Sequence, residues 1–240
     1  MGVIRPRVWP RVWKIHLDQP DDSGWWRLLS DAERERGQRL VCADEQRRYM
    51  VAHAALRAIL GRESGVRPAQ VRYGTEATGR PYLALPGGSP PLDFNLSHSG
   101  EWALVAVTAP TWRVGVDVER IRPDLDFLEM ARHMYQPTEV DRLIRVDPAV
   151  RRVEYFRIWS AKEAYVKAVG IGMAGFRDVL VHPDWKHTDD AEYGLVLSLS
   201  APGVVWPVRW LDIAPGYAAA VVSTYLSMPQ TGPPRLPRAS

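Results

Sequence analysis

GVDVERI, Gly115 to Ile121, and WSAKEAYVKAVG, Trp159 to Gly170, decide the fold between them, the first by strand spacing and the second by helical spacing. In the first, Val114, Val116 and Val118 alternate with Gly115, Asp117 and Glu119, which places both carboxylates on one face of a strand. In the second, Trp159, Glu163 and Lys167 stand at i, i+4 and i+8 and line one stripe of a helix, with Lys162 beside it. Taken alone, the DxE pair reads equally as a solvated strand face, and Glu163 with Lys167 as an exposed ion pair contributing about 0.2–0.5 kcal/mol. Taken together they offer acids from a strand to an acid and lysines from a helix. Two carboxylates on one strand face repel each other, and Mg²⁺ takes one or two carboxylates together with phosphate oxygens and waters. The pattern therefore points to a hard divalent cation holding a phosphate, and to a phosphoryl-type transferase.

Outward from these segments the chain alternates between the two periods. Arg11 to Leu17 reads as a strand, and SDAE at Ser30 to Glu33 as a capping box opening an arginine-rich helix. A second helix is expected over Asp44 to Leu60, with Gly61 to end it. Leu92 to Leu96 and Trp102 to Thr108 read as strands; Leu125 to Tyr135, Pro137 to Ile144 and Arg152 to Val169 as helices. Val179 to His182, Tyr193 to Leu199, Val205 to Asp212 and Tyr217 to Tyr225 complete a set of strands punctuated by Pro and Gly. This is α+β: two similar halves, each a small antiparallel sheet with packed helices, divided as 1–112 and 113–227. The remainder, 228–240, is Pro-rich without apolar periodicity, and disorder is expected there.

Composition excludes several classes. Apolar residues make up 46% of 240, with ten Trp, which suffices for a substantial core. A single cysteine, Cys42, rules out an internal disulfide and any multi-cysteine zinc site. No run approaches the roughly 18 apolar residues of a membrane span, and the start MGVIRPRVW has no signal-like apolar region. A cytoplasmic protein is expected, with no membrane and no nucleic acid among its partners. The formal charge is only +3, yet nine arginines face five acids between Glu33 and Arg72, so an anion is expected to dock on the first half. GIGMAG at Gly170 to Gly175 matches the dinucleotide fingerprint in letters but follows a helix rather than a strand, and it is read as a loop. His98, in NLSHSG, reads alone as a turn histidine. Ser97 and Ser99 lack the GxSxG elbow of a hydrolase nucleophile.

The set resembles the 4′-phosphopantetheinyl transferase superfamily, specifically its two-halved, surfactin-synthetase-activating type. GRPYL at Gly79 to Leu83, FNLSHSGEW at Phe94 to Trp102, VGVDVERI at Val114 to Ile121 and WSAKEAYVKAVGIG at Trp159 to Gly172 carry the likeness in the expected order. The resemblance implies Mg²⁺-dependent transfer of the phosphopantetheine arm of coenzyme A to a serine of an apo acyl or peptidyl carrier protein, with release of adenosine 3′,5′-bisphosphate. Mn²⁺ is an alternative metal. Asp117, Glu119 and Glu163 correspond to the metal-binding acids, and Glu163 is ligand, general base or both. Asp117, Glu163 and Lys167 form the catalytic set. For coenzyme A the resemblance implies His98 at the 3′-phosphate, Arg80 and Pro81 bordering the adenine and Lys167 at the diphosphate, with Ser97 and Lys162 as further contacts. Basic side chains of the first helices, with Arg36, Arg39, Arg47 and Arg48 as candidates, join them. His53 stands where the family often has arginine, a departure that leaves a shorter side chain charged only when protonated. Phe127, Leu128, Met130, Met134 and Tyr135, flanked by Arg122 and Arg132, are the implied carrier-protein surface, or else core. A monomer serving secondary metabolism is expected. Two other readings compete: an inactive protein that binds coenzyme A or carrier proteins, and a nucleic-acid binder using the arginine-rich half.

Overall fold

A computed structural model of the chain describes residues 9–19, 24–85, 91–188, 191–200 and 205–225; the expected disordered tail, 228–240, lies outside them. The first part of the chain runs β1 (Arg11–His16), α1 (Asp31–Gln38), α2 (Ala43–Ser64), β2 (Tyr73–Thr75), β3 (Pro81–Leu83), β4 (Asp93–Ser99) and β5 (Trp102–Thr108). The second runs β6 (Trp112–Arg120), α3 (Phe127–Met134), α4 (Pro137–Arg145), α5 (Pro148–Val169), β7 (Val179–Thr188), β8 (Ala191–Ser198), β9 (Val205–Trp210) and β10 (Tyr217–Tyr225). The fold is α+β, with every strand pair antiparallel: a three-stranded sheet β1-β5-β4, a five-stranded sheet β6-β10-β9-β8-β7 and the small pair β2-β3.

Each large sheet carries one long helix on a face, and the two helices are of equal length, 22 residues. Leu56 and Leu60 of α2 pack on Phe94, Val105 and Val107. Ile158, Ala161, Ala164 and Ala168 of α5 pack with Val208, Ala218, Ala220 and Val222. The period of two in β5 and β6 then joins the sheets: Leu104 and Ala106, on the opposite face of β5, meet Val114, Val116 and Val118 of β6 with Ala219 and Val221 of β10. Because this third cluster draws on both parts of the chain, neither part buries all of its apolar surface alone.

Two helix boundaries differ from the sequence expectation. Gly61 does not end α2; the helix continues to Gly65, whose left-handed φ of 74° closes it. Gly61 is required instead for close approach, since a Cβ there would lie 2.7 Å from the carbonyl oxygen of Val66. Helix α5 begins before the apolar stripe does, at Pro148 in the first turn behind the Asp147 cap. The capping box of α1 is as expected: Ser30 Oγ accepts from Glu33 N at 3.3 Å, and Glu33 Oε2 accepts from Ser30 N at 2.8 Å. The GIGMAG segment forms a glycine turn and a short 3₁₀ helix over Met173–Asp178, not a strand–helix junction.

The seam between the sheets is polar where β4 meets β6. β6 bonds to β10 on one side. On the other, alternate side chains of β4 accept its backbone N–H groups in order. Asp93 Oδ2 takes Val114 N at 2.8 Å, Asn95 Oδ1 takes Val116 N at 2.9 Å, Ser97 Oγ takes Val118 N at 3.4 Å, and Ser99 Oγ takes Arg120 N at 3.1 Å. Side chains thus replace the missing neighbour strand, and the register of β6 is fixed against β4. Arg80 closes one end of this seam. Its guanidinium meets both oxygens of Asp93, at 2.7 and 2.8 Å, and the carbonyls of Phe94, Val114 and Lys167.

Candidate active site

The seam brings the strand acids and the helix acid together. Gly115, Asp117 and Glu119 form the face of β6 that α5 covers, and the helix lies on it directly: a Cβ on Gly115 would overlap the carbonyl oxygen of Ala164 and sit 2.8 Å from Ala168 N. Backbone contact at Gly115 sets Lys167 over Asp117. Lys167 Nζ is 2.6 Å from Asp117 Oδ1, 3.0 Å from Ser97 Oγ and 3.9 Å from Glu163 Oε2, while Ser97 Oγ donates to Asp117 Oδ1 at 2.8 Å. Glu119 receives the hydroxyl of Ser99 at 3.1 Å.

The electrostatics are those of crowded negative charge. Burial and the neighbouring Asp117 push Glu119 up to about 7, against the hydrogen bond from Ser99 and the charge of Lys167. Glu163 is raised by burial and by Asp117. Lys167 is raised in spite of its burial, because Asp117, Glu163 and Glu119 all favour its charged form. Asp117 is 1% exposed, and its Oδ2 is a buried oxygen with no hydrogen-bond partner. A buried, unpartnered carboxylate oxygen in a set of hard oxygen donors fits a hard divalent cation. Among the described residues no three His, Cys, Asp or Glu side chains converge into a ready-made metal cage; the ammonium of Lys167 is the cation that the acids share.

His98 lies on the face of β4 opposite Asn95 and Ser97, exposed at the strand's end. Surrounding protein still disfavours its charged form, and nearby His53 of α2 and Lys167 act in the same direction, so its pKa is lowered. His98 thus stands within electrostatic reach of both His53 of α2 and Lys167 of α5. An open cleft of about 570 Å³ borders Glu119, lined by Ser99, Gly100 and Glu119 to Asp124.

Three residues expected at the site are engaged elsewhere. Lys162 points into the interior, fully buried, where it pairs with Glu139 at 2.6 Å and donates to the carbonyl of Val179 at 2.6 Å; one helix residue of rotation carries it off the stripe of Glu163 and Lys167. Arg80 is buried with each of its three nitrogens engaged by Asp93 or a carbonyl, so it is committed to the seam, although Pro81 beside it is exposed. Tyr135 is core: it stacks on Tyr155 and Phe176 and donates its hydroxyl to the carbonyl of Tyr155 at 2.8 Å. Phe127, Leu128, Met130 and Met134 are half-buried, and Arg122 and Arg132 exposed. Of the first-helix arginines, Arg47 and Arg48 are held by Asp18 at 3.2 and 2.8 Å, whereas Arg36 and Arg39 are exposed, Arg39 only 3.7 Å from Glu35.

Sequence reasoning missed Ser99 as a partner of Glu119, although the polar alternation of Asp93, Asn95, Ser97 and Ser99 in a strand was a visible signal. It also missed the distant role of Glu33, which lies 3.7 Å from His53 Nδ1; nothing local announces that.

Comparison with known proteins agrees with this arrangement along both parts of the chain. Residues 113–222 match the model of the 4′-phosphopantetheinyl transferase superfamily, and residues 19–110 that of the 4′-phosphopantetheinyl transferase N-terminal region. The chain is similar to the 4′-phosphopantetheinyl transferase HetI of Nostoc sp., 36% identical over 170 residues covering 70% of this chain and 71% of that one. It is similar to the 4′-phosphopantetheinyl transferase psf-1 of Bacillus pumilus, 33% identical over 68% of this chain and 70% of the other. The likeness to Sfp of Bacillus subtilis is lower, 24%, but spans 92% of this chain and 95% of that protein. With both parts of its length matched and its acids, lysine and serines gathered at one seam, the chain is an enzyme of the transferase class and belongs to the 4′-phosphopantetheinyl transferase superfamily.

Proposed function

We propose that the protein transfers the 4′-phosphopantetheine arm of coenzyme A to a serine of an apo acyl or peptidyl carrier protein, in a Mg²⁺-dependent reaction that releases adenosine 3′,5′-bisphosphate. The observation that carries this reading is the convergence of Asp117, Glu119, Glu163 and Lys167 at the seam, with an unpartnered oxygen on Asp117. The three acids would hold the metal, Mg²⁺ or Mn²⁺. When bound, it neutralises charge on the diphosphate and fixes the attacked phosphorus.

The chain's own residues account for the rest. The serine Oγ bonds to the phosphorus that bears pantetheine, the diphosphate bridge breaks, and adenosine 3′,5′-bisphosphate leaves with the electron pair. Lys167, kept cationic by the surrounding acids, stabilises the charge developing on the bridging oxygen. Glu163, its basicity raised by burial, accepts the serine proton. His98 and His53, with the exposed Arg39, receive the 3′-phosphate, while Ser97, on the opposite face of β4, stays bonded to Asp117 and Lys167; Pro81 borders the adenine. In this reading residues 1–112 supply the nucleotide side and 113–227 the acids. The carrier docks on Phe127, Leu128 and Met134 with Arg122 and Arg132 facing its acidic surface. The enzyme acts as a cytoplasmic monomer in secondary metabolism.

Intact-mass measurement of an apo carrier protein incubated with the enzyme and coenzyme A, with Mg²⁺ or with EDTA, tests the reaction. One phosphopantetheine arm is expected with Mg²⁺ and none with EDTA. Asp117→Ala and Glu163→Ala are each expected to slow transfer by about a hundredfold or more, the lower range for loss of a positioned charge or base. Wild-type turnover by either folded variant would remove the site assignment. Coenzyme A binding without transfer to any carrier would favour a binding protein.

A further inference from the structure

The ladder between β4 and β6 does more than align two strands. Each of its last two rungs is a serine whose oxygen accepts a backbone N–H of β6 and whose proton goes to the adjacent acid. Ser97 accepts from Val118 N and donates to Asp117 Oδ1; Ser99 accepts from Arg120 N and donates to Glu119 Oε2. A hydroxyl has one proton, and once its oxygen is fixed by a backbone donor the direction of that proton is restricted. The two acids differ in what else holds them. Asp117 is also gripped by Lys167, and so is Ser97. Glu119, with a longer and more flexible side chain, has Ser99 as its one hydrogen-bond partner among the described residues.

We infer that Ser99 is a positioning residue that holds the Glu119 carboxylate in place for the metal. This rests on reading Asp117, Glu119 and Glu163 as the metal-binding acids. Ser99 touches neither the reacting atoms nor, by this argument, the metal; it acts through Glu119. The β4 backbone carries it at a pitch that matches β6, so the acid is held by a rigid element rather than by a loop. Partners of this kind alter metal affinity by about 10–100-fold when removed.

The test is Mn²⁺ binding to the purified full-length protein, followed by the loss of the free Mn²⁺ paramagnetic resonance signal, with no coenzyme A or carrier present. Ser99→Ala should weaken Mn²⁺ binding by about tenfold or more. Ser99→Thr and Ser99→Val, which share a shape and differ by the hydroxyl, form a second pair that separates bonding from packing. The Thr variant should bind as wild type and the Val variant as the Ala variant, with all of them folded by circular dichroism; the Val variant also loses the bond from Arg120 N, so its melting temperature is expected slightly below that of Thr. Because Ser99 acts through Glu119 on metal occupancy, saturating metal should bring KM for coenzyme A in the Ala and Val variants back toward the wild-type value. Equal Mn²⁺ affinity for Thr and Val, with wild type binding normally, would overturn the role of Ser99 alone. Absence of Mn²⁺ binding by wild type, or binding unaffected by Asp117→Ala, would overturn the metal reading itself and this inference with it.

Discussion

Glu33 carries a clear electrostatic signature outside the acid cluster. Its carboxylate accepts from Ser30 N, from Ser30 Oγ at 2.7 Å and from Arg57 Nε at 2.6 Å, and it faces His53. Burial works to raise its pKa, but His53, 3.7 Å away, and the hydrogen bonds from Ser30 and Arg57 outweigh it and bring the group down to about 2 from an ordinary 4.5. An acid depressed in the folded state stabilises the fold fully above its unfolded pKa and loses that contribution as pH falls through the folded one. Urea unfolding should therefore show wild type losing stability between about pH 4.5 and pH 2, by an amount on the order of 3 kcal/mol, and Glu33→Gln losing correspondingly less. Parallel pH profiles for the two proteins would contradict this. The helix cap was legible because S-x-x-E is local. The grip on Arg57 and His53 was not, because a carboxylate that caps a helix in solvent and one that does so against a second helix share the same letters.

At the scale of elements, α5 shows where a helical stripe stops being informative. Trp159, Glu163 and Lys167 were assigned to one face by spacing, and the structure brings Glu163 and Lys167 to the acids of β6. Lys162 looked like part of the same basic surface. The helix is covered nearly all round, however, so the width of its buried face could not be read from the period alone. Lys162 and Glu139 instead tie α5 to α4, where Glu139 also receives Gln136 N, and to β7 through Val181 N at 2.8 Å. Removing one partner of a buried pair leaves the other uncompensated, so Lys162→Met should cost about 3–5 kcal/mol in chemical denaturation. Replacing Glu139 with glutamine in the same protein, which removes the stranded charge and keeps an acceptor oxygen for Val181 N, should restore part of that loss. A single variant within 1 kcal/mol of wild type, roughly the range of an exposed pair, would mean that the pair does not hold these elements.

For the whole molecule, the α+β class and the order of strands followed from alternation and punctuation, while the joining of the sheets did not. The FNLSHS segment was legible as a strand, yet its polar residues were read as ligands or turn formers. That they replace a backbone neighbour for β6 depends on a strand contributed from beyond an intervening hairpin. Arg80 is the same case: the resemblance placed it at the nucleotide, but its partners Asp93, Val114 and Lys167 hold the sheets and α5 in one body. Arg80→Ala should lower stability by about 3–5 kcal/mol, since it strands the buried Asp93 carboxylate. The shared core cluster should give a single calorimetric transition in wild type, with matching van't Hoff and calorimetric enthalpies. Two separated transitions would show that the sheets unfold independently.

The bare backbone of Gly115 against Ala164 has a consequence for how such a protein can change over time. Where strand and helix are spaced by side chains, any substitution between them alters the gap. Here main chain rests on main chain, so the gap is a fixed gauge that the identity of other interior residues does not enter. Substitutions on the sides of α5 turned away from the sheet, against α3 and α4, can accumulate while Lys167 keeps its distance from Asp117. The interior is thereby free to drift, and the gauge keeps the chemistry in tune.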